Sequence, residues 1–168
     1  LSFIYIGSIL TNNDILRRVR YAFNFNDQQM VDIFAAADHV ETKERVIAWL
    51  KKDDDVAFSK MEDKFLAIFL NGLINLKRGK REGVQPEPES RLTNNAIFMK
   101  LKIALNMQAE EIISTLQLAD FNLSKHELSA FFRKPDNKHF RECKDQILRN
   151  FLMGLQRSLR PNEAAEQE

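Results

Sequence analysis

The chain has 168 residues, 44% hydrophobic and 29% charged, with a net charge of +1. That is the balance of a globular protein, and it excludes a disordered chain or a uniformly basic surface for DNA or acidic membranes. A single cysteine, Cys143, rules out an intrachain disulfide and a cysteine-based zinc site, and suits a reducing, cytoplasmic setting.

Leu1 to Ile9 is apolar but too short to span a bilayer and carries no Lys or Arg, so it reads as an N-terminal extension. Behind it, Leu10-Thr11-Asn12-Asn13 returns as Leu92-Thr93-Asn94-Asn95. Laid over one another at this offset, Leu10–Ile74 and Leu92–Gln156 agree at 20 of 65 positions without a gap. The chain is therefore a duplication: repeat 1 over 10–78, a Gly- and Pro-containing linker over 79–91, repeat 2 over 92–160, and a disordered acidic tail over 161–168. A unit this small buries only about 60% of its unfolded surface, which predicts that the two copies pack together.

Each repeat predicts four helices. Thr11-Asn12-Asn13 has the side chains of a helix start, and Ile15, Leu16, Val19, Ala22 and Phe23 follow at helical spacing, as do Ile97, Phe98, Leu101, Ala104 and Leu105. Asn24 and Asn106 close this first helix. Asn26-Asp27 opens a second that runs to about Ala37. The third begins at Thr42 and Ser124, the latter with the Ser124-x-x-Glu127 spacing of a capping box.

Asp53-Asp54-Asp55 and Pro135-Asp136-Asn137 then read as a loop. The fourth helix is expected to be the longest, with Phe58, Met61, Phe65, Phe69, Gly72 and Leu76 recurring at steps of three and four, and Phe140, Cys143, Ile147, Phe151 and Gly154 matching them. A glycine inside a helix costs about 1 kcal/mol relative to alanine, so Gly72 and Gly154 suggest either a close helix approach between the copies or a local helix end.

The second and third helices of repeat 2 invite comparison with a helix-turn-helix, with Phe121, Leu123, Leu128 and Phe131 inward and Asn122 left-handed at the turn. Lys125, His126, Ser129 and Arg133 would then be exposed on the reading helix, and Lys134 and Lys138 would extend the basic face. Two helices packed around a common turn give the same pattern without DNA. Residues 91–160 have 12 Lys and Arg against 7 Asp and Glu, whereas residues 10–78 balance at 11 against 11, so a polyanion would meet the second copy.

Other chemistry has little support. His139 and Cys143 would share a helix face, but repeat 1 has Ala57 and Met61 there, which favours packing over a nucleophilic pair. The three histidines have no metal-ligand spacing, and Asp53 to Asp55 lacks the spaced ligands and glycine of a calcium loop. No phosphate-cradling glycine loop or serine elbow is present, so no cofactor, metal or catalytic residue is assigned.

The two Leu-Thr-Asn-Asn starts, Trp49-Leu50-Lys51-Lys52-Asp53-Asp54, Phe69-Leu70-Asn71-Gly72-Leu73-Ile74, Ser129-Ala130-Phe131-Phe132-Arg133-Lys134 and Leu148-Arg149-Asn150-Phe151-Leu152 together resemble the bacterial YehS-like family, a two-copy domain of unknown function. The resemblance covers Leu10 to Arg160 and implies a bacterial cytosolic setting, but no catalytic residues. The expectation is an all-α protein of two tandem, related four-helix units. Its expected role is non-catalytic binding or regulation of a protein partner, as a monomer or homodimer away from membranes. DNA binding through repeat 2 is the alternative.

Overall fold

The Thr11 and Thr93 hydroxyls each accept an N–H at the start of a repeat, and in repeat 1 the third helical residue returns the bond. The Thr11 hydroxyl accepts the Asp14 N–H at 3.1 Å, the Asp14 carboxylate accepts the Thr11 N–H at 3.0 Å, and this reciprocal cap opens α1, Asn12–Phe23. The computed structural model describes residues 9–164, and every regular element among them is a helix. Repeat 1 continues with α2 (Asp27–Ala36), α3 (Lys43–Leu50) and α4 (Asp63–Arg78). Repeat 2 mirrors it with α5 (Asn94–Leu105), α6 (Ala109–Gln117), α7 (Lys125–Ala130) and α8 (Asp145–Leu159). Asn24 and Asn106 end the first helix of each copy in the left-handed conformation, at φ of 55° and 51°.

The copies are interleaved. Besides contacts within each repeat, α1 packs on α8 and α4 packs on α5, a reciprocal exchange expected of a pseudo-two-fold pair. One hydrophobic core results, running from Leu16, Trp49 and Phe69 through Phe98, Phe131 and Phe151. Phe34, Trp49, Phe65 and Phe69 form its aromatic centre in repeat 1, and Phe98, Phe131, Phe132 and Phe151 do so in repeat 2.

Several expectations are corrected. The long fourth helix begins at Asp63 and Asp145, so Phe58, Met61, Phe140 and Cys143 precede it. Their three-and-four spacing belongs to a chain laid against the end of α3 or α7, where Ser59 N–H donates to Ala48 O and Arg141 N–H to Ala130 O, both at 3.1 Å. The close approach at Gly72 and Gly154 lies within each copy. A Cβ on Gly72 would stand 1.9 Å from the Ile33 carbonyl oxygen of α2, and one on Gly154 would stand 1.9 Å from that of Thr115 in α6.

The left-handed residue after α6 is Asp120, at φ 58°, and not Asn122, because reversing there lets Phe121 N–H reach Leu116 O at 3.1 Å. The linker is pinned: Asn75 Nδ2 donates to Gln85 Oε1 at 2.7 Å, and Lys100 holds Glu89 at 3.2 Å. The tail expected to be disordered starts with a helical turn, α9 (Pro161–Ala164), and Arg160 just before it stacks on the Tyr21 ring at 4.0 Å. Residues 1–8 of the expected extension and 165–168 of the tail lie outside the described residues.

Candidate functional site: two hollows on the second repeat

The asparagines of the repeated start are structural. Asn13, 1% exposed, donates to Trp49 O and Ser59 O, both at 2.9 Å, and accepts the Met61 N–H at 3.0 Å. Asn95 makes the same three bonds to Phe131 O, Arg141 O and Cys143 N–H at 3.0, 2.8 and 2.9 Å. In both copies one amide thus ties the end of the third helix to the chain entering the fourth. A motif that strong is consumed by the fold, and chemistry is better sought where the copies differ.

They differ beside this clamp. In repeat 1, Arg17 pairs with Asp14, donates to Lys51 O at 2.6 Å and lies 3.6 Å from Asp53. The guanidinium crosses from α1 to the end of α3 and the turn beyond it. At the matched positions repeat 2 has Ala96 for Asp14, Met99 for Arg17 and Pro135 for Asp53. All three line a hollow of about 670 Å³, completed by Phe131, Phe132 and Phe140, with buried Cys143 among its walls. Replacing a charged bridge by three apolar side chains turns an occupied surface into an open apolar one.

Burial, then the nearby Asp145 and Glu142 carboxylates, push the Cys143 thiol up to about 12. The thiolate that a nucleophile needs is therefore disfavoured near neutral pH. His139 is exposed in the turn before α8, and the shared helix face expected for the pair does not form.

The candidate nucleic-acid residues divide into groups. His126, Ser129 and Arg133 come together with His139 and Arg141 around a second hollow of about 370 Å³. Lys125 is drawn aside into a pair with Glu110 of α6 at 2.7 Å. Lys134 and Lys138 are exposed in the turn after α7, outside that hollow. Glu127 also borders the hollow. The Ser124 side chain and backbone N–H hold its carboxyl below the usual range, with smaller help from Arg141 and His126. At the positions of His126, Arg133, His139 and Arg141, repeat 1 has Glu44, Lys51, Ala57 and Ser59. The cationic cluster is thus a property of repeat 2.

Repeat 1 has its own polar cluster, which residue-by-residue reading of one copy misses. Buried Glu41 meets His39 Nε2 at 2.9 Å and Arg45 at 3.8 Å, while the Arg45 guanidinium lies 4.1 Å from the Phe65 ring centre and 4.9 Å from that of Trp49. Repeat 2 has Phe121, Leu123 and Glu127 at the corresponding positions. The signal that finds both features is register comparison: aligned positions where charge in one copy meets apolar or opposite character in the other.

No helix among the described residues is long and apolar enough to cross a membrane, and no group of three or more His, Cys, Asp or Glu among them is placed to hold a metal ion. The family described as "Protein of unknown function (DUF1456)" matches residues 12–79 and again 94–160. The chain is 44% identical over 147 residues to the uncharacterized protein YehS of Escherichia coli (strain K12), spanning 87% of this chain and 94% of that protein. No solved structure matches the chain.

Proposed function

We infer that this chain, which belongs to the DUF1456 family, is a non-catalytic binding module in which repeat 1 serves as scaffold and repeat 2 carries the binding surface. The observation that supports this reading is the exchange of Asp14, Arg17 and Asp53 for Ala96, Met99 and Pro135, which opens an apolar hollow on an otherwise duplicated frame. A hollow of about 670 Å³ is within the range of sites that bind small ligands or single side chains. Its asparagines spend their amides on the backbone, so convergent polar groups for a reaction are scarce. A protein partner inserting an apolar side chain fits the hollow by itself, and the adjoining cations favour a nucleic acid. A buried lone cysteine held as a thiol suits a reducing cytoplasm.

The test is photo-crosslinking in cells, with a benzophenone side chain placed at Met99 in one variant and at Arg17 in another. The reading expects adducts from position 99 only, and their loss when Ala96→Asp and Pro135→Asp are added. Adducts of equal yield from both positions, or none from position 99, would sink it. Nuclease treatment of the adduct separates a nucleic acid from a protein partner.

A further inference from the structure

The two hollows of repeat 2 share a wall. Arg133 lines both, and the chain leading to α8 alternates between them: His139 and Arg141 border the cationic hollow, and Phe140 between them borders the apolar one. We propose that repeat 2 binds single-stranded nucleic acid, seating one base against the half-buried Phe132 and Phe140 while the adjacent phosphodiester lies among His126, Arg133, His139 and Arg141. This rests on the reading of the apolar hollow as a binding site.

The chemistry of the ligand follows from the juxtaposition. A purely apolar ligand has no use for four cationic or imidazole side chains at its edge, and a peptide would need an acidic and an apolar side chain spaced to reach both hollows at once. A nucleotide unit joins a flat π-face to an anion through one sugar, which is what adjoining aromatic and cationic surfaces accept. The base must be free of its stack to enter, which favours a single strand over a duplex. The helix-turn-helix alternative is less well served, because α7 has six residues and spans only about 9 Å at the rise of an α-helix.

Charge placement agrees. Arg133, His139 and Arg141 are exposed, and none of them enters an ion pair among the described residues. Glu127, the one carboxylate bordering the cationic hollow, is engaged by Ser124 in the cap of α7, and Glu142, which lines the apolar hollow, pairs with Lys144 at 3.1 Å. Repeat 1 offers neither half of the arrangement, since Arg17 crosses the apolar ground and Glu44 stands where His126 stands.

The experiment is fluorescence anisotropy with the full chain and four probes at low and moderate salt: labelled oligothymidylate, a mixed-sequence single strand, its duplex, and polyglutamate. Three variants are compared after far-UV circular dichroism has shown that each is folded. They are Arg133→Glu/Arg141→Glu, the hollow-filling Ala96→Asp/Met99→Arg/Pro135→Asp, and the remote control Lys43→Glu/Lys52→Glu. Single strands should bind in preference to duplex and polyglutamate, with affinity falling as salt rises. The Arg133/Arg141 variant should lose about tenfold or more. The filled hollow should lose roughly fivefold or more, as expected for one lost base stack. The control should keep its affinity.

Preference for duplex or polyglutamate, absence of binding at low salt, or an equal loss in the control overturns the proposal. Loss in the charge variant with none in the filled variant overturns the placement of the base. If oligonucleotides fail while crosslinks from position 99 persist, this inference falls and the binding-module reading stands; if both fail, both fall.

Discussion

The carboxylate of Asp63, in repeat 1, accepts the backbone N–H of Leu92, the first residue of repeat 2, at 2.8 Å. Asp145 of repeat 2 returns the bond to Leu10 of repeat 1 at 3.0 Å. Each aspartate also accepts from the first asparagine of its own copy, Asn12 or Asn94, at 2.7 Å. One carboxylate at the start of the fourth helix thus fastens its own first helix and the other copy's entry, which is why the copies interleave and do not stand as separate bundles. Asp63→Ala leaves the Leu92 N–H without its acceptor and should cost about 2 kcal/mol in urea unfolding. Asp63→Asn, which keeps one acceptor oxygen, should lose less. A single cooperative transition is expected in both variants because the core is shared.

Gly72 and Gly154 permit the second and fourth helices of each repeat to touch backbone to backbone. With 1.9 Å between an added Cβ and a carbonyl oxygen, the neighbour is main chain and has no rotamer to yield. The helices must separate, opening the packing around Ile33 or Leu116. Gly72→Ala and Gly154→Ala should each destabilise by about 3 kcal/mol, despite the better helix propensity of alanine. Equilibrium denaturation checks this; unchanged or raised stability in either variant would show that the helices move apart freely.

The architecture was legible in the sequence because duplication supplied two readings of every element. Caps such as Thr11, Asn26 and Ser124 were local, and each named its own helix. Periodicity starts the fourth helix too early, since Phe58 and Met61 keep helical spacing by accident in a chain held by Asn13. Gly72 announced a close approach but not its partner, because periodicity says which face is buried and not against what. The apolar hollow was missed for a related reason. Met99 and Pro135 lie far apart in sequence, and only the position of Arg17 against Asp53 in the folded first copy shows that they meet.

Cys143 offers a probe of the second repeat. Its thiol is raised from an ordinary 9.0 to about 12 by burial, then by Asp145 and Glu142. The folded state therefore holds the proton more tightly than the unfolded chain. The associated stability is fully present below 9.0 and lost as pH rises toward about 12. Iodoacetamide at mildly alkaline pH should label the unfolded protein quickly and the folded protein slowly. Cys143→Met, which copies Met61 of repeat 1, should remove that alkaline slope. Rapid labelling of the native state would mean that the thiol is open to solvent.

Asp14 gives the opposite sign in the first repeat. Burial alone would raise its pKa, but the Thr11 backbone and hydroxyl bonds and the Arg17 guanidinium outweigh burial and leave it below its ordinary 3.8. The folded state thus favours the carboxylate, so the stability linked to it is complete above 3.8 and is lost as pH falls through the lower folded value. Asp14→Ala gives repeat 1 the residue that repeat 2 has at Ala96. It removes the N-cap partner of Thr11 and one anchor of Arg17. The variant should be less stable than the parent at neutral pH, and the difference should shrink as acid protonates the parent's carboxylate. Thermal melts of both proteins from neutral to strongly acidic pH test this: curves that stay parallel throughout would mean that Asp14 acts through its shape and not its charge.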